Sequence, residues 1–166
     1  MAPDDRFDDV LAANEAYAER FQHQDLEARA AKGLGVLTCI DSRIDPLAML
    51  GLAPGDAKIL RNAGARVTED VLRTLVLGSY LLGVERVMVV AHTKCRMADS
   101  TQEDVHDAIK AAGGPDTRSI TFLTTGDQEA SLETDVQRVR SWPYLGNIAV
   151  GGFIYDLDTG LLRRIC

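Results

Sequence analysis

A chain of 166 residues with 46% hydrophobic side chains can build one domain with a real core, and needs no disulfide staples to do so. Its net charge of −7, with no basic cluster, excludes the counterion-releasing contacts of nucleic-acid binding and disfavours anionic membranes. Three cysteines, Cys39, Cys95 and Cys166, are too few and odd in number for a disulfide framework, so the thiols are free to bind metal or react. The opening MAPDDRFDDV lacks the basic and apolar segments of a secretory leader, and no apolar run approaches a membrane span. A soluble cytoplasmic protein is expected.

Along the chain, Phe7, Val10, Leu11, Asn14, Tyr17, Ala18 and Phe21 recur at three- and four-residue spacing, which predicts an amphipathic helix. Its apolar stripe must pack on its own domain or on a partner. Residues 33–40 read as a buried strand, and Asp45-Pro46 opens a short helical piece that ends near Gly51. Residues 57–60 form a second strand, followed by a loop at Asn62-Ala63-Gly64. Thr68 is the N-cap expected for a helix whose buried face is Val71, Leu72, Leu75, Val76 and Leu82, with Gly83 as its stop. Residues 87–91, apolar on both faces, suit a central parallel strand. Residues 101–112 and 127–141 read as helices, while 119–123 are ambiguous. Residues 148–155 and 161–165 flank Asp158-Thr159-Gly160 as a hairpin. Strand–helix alternation closed by an antiparallel strand is an α/β pattern: a mostly parallel central sheet with an antiparallel edge, flanked by helices. No linker interrupts it, so residues 1–166 are expected to form one domain, with 1–30 as an N-terminal helical arm.

In open α/β sheets, sites gather at the carboxyl ends of strands. One such end carries Cys39-Ile40-Asp41-Ser42-Arg43, another His92-Thr93-Lys94-Cys95. His92 and Cys95 can reach one ion from a single turn, and Cys39 can add a third donor from a neighbouring strand. Two thiolates and an imidazole suit Zn²⁺, and three protein ligands leave a tetrahedral position open, as catalytic sites do. There, bound water is brought to a pKa of about 7. Asp41 and Arg43, two apart in an extended exit, can face the same way, so that Arg43 holds a carboxylate that orients the nucleophile.

Taken singly, each feature has an ordinary reading. Cys39 can be a small buried hydrophobe, Asp41 and Arg43 a surface ion pair, and Cys166 the fourth ligand of a closed structural site. A thiol phosphatase is excluded by spacing, since Asp45 stands where the phosphate-cradling Arg would be. Gly33-Leu34-Gly35 lies inside a strand rather than at a strand-to-helix turn, against dinucleotide binding.

The joint pattern is more specific. Cys39-x-Asp41-Ser42-Arg43, Arg61-Asn62-Ala63-Gly64 and His92-Thr93-x-Cys95, in this order, resemble the β-class carbonic anhydrases of the compact bacterial type. The likeness runs from about residue 30 to the end and includes Gly152-Phe153-Ile154-Tyr155-Asp156 and Thr159-Gly160. It implies one zinc per chain on Cys39, His92 and Cys95, with Asp41 and Arg43 as a catalytic dyad. It further implies an N-terminal helix that embraces a partner, and a homodimer or homotetramer with active sites at the dimer interface. The implied reaction is reversible hydration of carbon dioxide to bicarbonate and a proton by zinc-bound hydroxide. Asn62, Ala63, Gly64 and Arg96 are the expected pocket residues. Arg96 departs from the family, which commonly has glycine there. Carbonyl sulfide or carbon disulfide hydrolysis on the same zinc is the alternative enzyme, and a zinc-binding regulator without turnover the alternative outside catalysis. His23 and His106 are candidates for relaying the proton.

Overall fold

A computed structural model of the chain describes residues 5–166. Of the 1–30 arm, the first four residues therefore lie outside the described part. Five strands form one sheet in the order β2-β1-β3-β4-β5: β1 Leu34–Cys39, β2 Ala57–Asn62, β3 Arg86–His92, β4 Ala149–Tyr155 and β5 Leu162–Arg164. The first four are parallel, and β5 returns antiparallel beside β4, as the sequence predicts. The helices are α1 Asp8–Ala18, α2 Glu69–Leu81, α3 Gln102–Ala111 and α4 Gln128–Arg140. The ambiguous residues 119–123 take no regular structure, and the piece after Asp45 is a single 3-10 turn stopped at Gly51, which has a left-handed φ of 63°.

Helix ends follow their local chemistry. Thr68 Oγ1 accepts the Val71 amide at the start of α2. Thr101 and Asp104 exchange bonds in a capping box that opens α3, and Asp127 accepts the Ala130 amide to cap α4. Alternation along the strands then sorts the core into two layers. Leu37, Val87, Val89, Ala91, Val150 and Ile154 pack on Val71, Leu72 and Leu75 of α2 and Leu132, Val136 and Val139 of α4. Each fully buried leucine or valine here contributes roughly 1.5–3 kcal/mol relative to exposure. The other set, Leu34, Val36 and Val90, meets the segment around Met49, Leu50 and Leu52, which leaves Met88, Phe153 and Leu162 only partly buried.

The arm stands apart. Every residue from Arg6 to Arg29 is exposed, Phe7, Val10, Leu11, Tyr17 and Phe21 among them. The periodicity predicts the helix correctly, but α1 buries nothing against its own chain.

Candidate metal centre and active site

Parallel pairing brings the chemistry together. Thr38 of β1 pairs with Val90 of β3, and the Thr38 hydroxyl donates to the Val90 carbonyl at 3.1 Å. Cys39 and His92 therefore end adjacent strands on the same side of the molecule. The chain then turns through Thr93 and Lys94, where Lys94 takes a left-handed φ of 56°, and delivers Cys95 back to the cluster. Cys39 Sγ, Cys95 Sγ and a His92 ring nitrogen lie within 4.8 Å of one another, and all three residues are buried.

His92 shows which atom faces the cluster. Its Nδ1 lies 2.9 Å from the Thr93 carbonyl, which can only accept, so Nδ1 carries the proton and Nε2 presents a lone pair. That Nε2 is the one buried side-chain nitrogen or oxygen among the described residues with no hydrogen-bond partner. A buried acceptor left unsatisfied is costly. With two sulfurs beside it, the donor set is that of a zinc site, and the residues fit the ion that the sequence calls for.

The titration of the three agrees. The Cys95 thiol donates to the Cys39 sulfur, which pulls Cys39 below the ordinary thiol range against its burial. Cys95 is pushed up, first by that same bond and then by burial. Burial pulls His92 down, but the Cys39 sulfur and the Thr93 carbonyl more than offset it, and the net shift is upward. The Cys39 sulfur is thus the favoured anion of the three and attracts positive charge from its neighbours.

Supporting bonds hold each donor. The Gly64 amide donates to Cys39 Sγ at 3.4 Å, and Gln128 Nε2 donates to the His92 carbonyl at 3.0 Å. Cys95 O accepts the amides of Ala98 and Asp99, both at 2.9 Å. Arg61 spans the strand exit, donating from Nε to Cys39 O at 2.8 Å and from Nη2 to Asp41 O at 2.7 Å.

Asp41 and Arg43 form a fork at the rim. Arg43 Nε donates to Asp41 Oδ1 at 2.9 Å and Nη2 to Oδ2 at 2.7 Å, while the Arg43 amide adds a third bond to Oδ1 at 3.0 Å. Nη2 also donates to Lys94 O at 3.0 Å, which ties the fork to the turn between His92 and Cys95. The Arg43 guanidinium holds the Asp41 carboxyl well below the usual carboxylate range. Asp41 Oδ2 lies 4.0 Å from His92 Nε2.

Of the expected pocket residues, Asn62 and Gly64 are half-buried beside Cys39, and Ala63 is exposed. Arg96 is exposed and forms no hydrogen bond or ion pair with the described residues. His106 has both ring nitrogens engaged, by Thr117 Oγ1 at 2.9 Å and Gln102 Nε2 at 3.0 Å, and serves as a clamp between α3 and the loop after it. Ile44, Met97, Ala98 and Leu157, which pack around Cys39 and Cys95 beside Tyr155 of the closing run, carry no motif signal, and neither does Gln128. Only the fold brings them here. Cys166 lies elsewhere, with its sulfur beside Gly152 in the layer under α4, so it does not close the cluster as a fourth ligand.

The chain is similar to known proteins along its length. The carbonic anhydrase family model matches residues 34–114. Beta-carbonic anhydrase 1 of Mycobacterium tuberculosis is 32% identical over 161 residues, which span 95% of this chain and 96% of that protein. A carbon disulfide hydrolase from an Acidianus species is 41% identical over 171 residues, 85% of this chain and 84% of that one. The crystal structure of carbonic anhydrase from Streptococcus mutans matches with a TM-score of 0.89 at 35% identity, covering 100% of both chains. With the cysteine–histidine–cysteine cluster, the forked Asp41–Arg43 pair and relatives matched end to end, the chain belongs to the β-carbonic anhydrase family.

Proposed function

We propose that the protein catalyses the reversible hydration of carbon dioxide to bicarbonate and a proton, with Cys39, His92 and Cys95 holding one zinc ion. The observation that carries this reading is the partnerless His92 Nε2 set among two buried thiols, with a fixed carboxylate 4.0 Å away. When bound, zinc supplies a Lewis acid that brings the pKa of water to about 7.

Residues of the chain do the rest. Asp41, held in one orientation by Arg43, accepts the O–H of the attacking oxygen and turns its lone pair toward the carbon. Arg43 keeps that carboxylate in one place while anchored on Lys94 O. Ile44, Met97, Ala98 and Leu157 offer an apolar wall that suits a linear, uncharged substrate. Asn62, Ala63 and Gly64 shape one side, and Arg96 stands at the exposed side. One oxygen adds to carbon dioxide, and one proton leaves to buffer.

A second reading is supported by the 41% identity to a carbon disulfide hydrolase. Carbon disulfide and carbonyl sulfide share the linear, apolar form of carbon dioxide, and the ligand set serves all three. Stopped-flow hydration of carbon dioxide, run beside sulfide release from the two sulfur substrates, decides. The proposal expects proton release from carbon dioxide to dominate, and faster sulfide release would replace it with the second reading.

The assembly follows from two surfaces that lack a counterpart. The exposed arm carries an apolar stripe, and one face of the sheet is only partly covered, whereas parallel sheets are normally covered on both. A homodimer, alone or paired into a tetramer, supplies each with the other. We assign residues 1–166 to one domain with 1–30 as its arm. No described helix is long and apolar enough to cross a membrane, and three unpaired cysteines support a cytoplasmic location.

A further inference from the structure

Arg66 and Asp135 form an ion pair that no catalytic step uses. Arg66 Nε donates to Asp135 Oδ2 at 2.7 Å, and the two side chains are only 17% and 6% exposed. A buried ion pair is a weak source of net stability, because desolvation offsets the attraction, and its best-attested use is to hold one conformation against others. This pair holds the turn that follows β2. Asp135 Oδ2 also accepts the Val67 amide at 3.2 Å, and Arg66 Nη1 donates to the Leu123 carbonyl at 2.9 Å. The Arg66 backbone is locked to Asn62 from both sides: its amide donates to Asn62 Oδ1 at 2.8 Å, and its carbonyl accepts from Asn62 Nδ2 at 2.7 Å.

Between those anchors lie Gly64 and Ala65, with φ of 77° and 56°. Glycine takes the left-handed region freely, but the Cβ of alanine is crowded there. Such a turn persists only where its surroundings over-determine it. Held this way, the Gly64 N–H points at Cys39 Sγ, 3.4 Å away.

We infer that Arg66 and Asp135 are positioning residues for the metal centre: they hold the Gly64–Ala65 turn so that the Gly64 N–H stays on the Cys39 sulfur, and thereby set how tightly that sulfur binds the ion. The inference rests on Cys39 being a metal ligand, as proposed above. An N–H donated to a ligating sulfur fixes where that sulfur and its lone pairs point, so the donor needs no rearrangement to meet the ion. Neither Arg66 nor Asp135 touches the ion or the substrate.

The test uses the full chain, stripped of metal and reloaded with cobalt(II), whose bond to a thiolate absorbs in the near ultraviolet. Zinc affinity is measured separately by competition with a chelator. Asp135→Asn and Arg66→Lys should each weaken zinc by about tenfold or more, in line with losses seen on removing supporting contacts at metal sites, and shift the cobalt–sulfur band. Adding Ala65→Gly to Asp135→Asn should restore part of the affinity, because glycine removes the crowding that the pair opposes. If Asp135→Asn fails to fold, Arg66→Lys carries the test, since it keeps the charge opposite Asp135 but loses the second arm to Leu123. A pair that only braced the fold would lower the unfolding temperature while band and affinity stayed at their original values, and that result overturns the inference. If the unaltered protein shows no cobalt–sulfur band that Cys39→Ser abolishes, the metal assignment itself fails and the inference falls with it. A band present in the unaltered protein and unmoved in both variants defeats the positioning role alone.

Discussion

His92 uses its two ring nitrogens differently, and the difference determines the site. Nδ1–H is spent on the carbonyl of the next residue, so the lone pair of Nε2 is free for a cation. Cys39→Ser should therefore lose zinc, because one of three donors is replaced by a poor one, whereas Cys166→Ser should keep it. Metal analysis of the two purified variants checks this. Arg43→Ala should retain zinc and lose activity. Asp41 would stay ionised at neutral pH without its partner, since a free carboxyl titrates near 3.9, so the loss measures orientation rather than charge. A fall in kcat/KM of about 100-fold is expected by analogy with other preorganised polar groups, and a steady-state assay beside a zinc determination reads it. The ligands and the fork were legible in the sequence because they lie in two short runs at strand ends. Arg66–Asp135 and Gln128–His92 were not, because each joins residues far apart in the chain, and nothing around Asp135 or Gln128 marks either as a partner.

At the scale of elements, the strands and α2 to α4 match the periodic segments to within one or two residues, whereas α1 stops at Ala18, three residues short of Phe21. The helix cap at Thr68 and the stop at Gly83, with its φ of 70°, are local chemistry and so could be read locally. Strand order could not, since the placing of β1 between β2 and β3 depends on crossovers that no single segment encodes. The β4–β5 hairpin carries a pH signature. Asp156 accepts the amides of Asp158 and Thr159 at 2.8 and 3.0 Å, and these bonds hold its carboxyl below the ordinary value. A depressed folded-state pKa contributes stability above the unfolded value of about 3.9, and that contribution fades as pH falls toward the folded value. Asp156→Asn should thus lower the thermal midpoint at pH 6, and the gap to the unaltered protein should narrow on acidification below pH ~4. Calorimetry across that range tests the sign: a gap that widened in acid would show that the turn does not depend on the charged form.

For the whole molecule, the arm is the part that its own chain does not explain. A helix with no buried residue and five exposed large hydrophobic or aromatic side chains along and beside it makes no sense in isolation. Sedimentation should show at least a dimer. Removal of residues 1–24 should shift the protein toward monomer and lower its activity, while a fully active monomer would count decisively against the assembly.

The pairing of β1 with β3 also has a temporal consequence. Thr38 and Val90 are 52 residues apart, and the turn that returns Cys95 follows only after β3 is complete. No complete set of donors exists until that long closure has occurred, which is slow and entropically costly compared with local contacts. If that closure limits the rate of folding, a cation that needs all three donors binds after it. Interactions made after the transition state slow the reverse journey without hastening the forward one. Zinc should therefore leave the refolding rate of the stripped protein almost unchanged and reduce its unfolding rate, prolonging the life of the native state. Stopped-flow chevrons with and without zinc would show the metal as a late latch, and a zinc-accelerated folding limb would place the cluster in the nucleus instead.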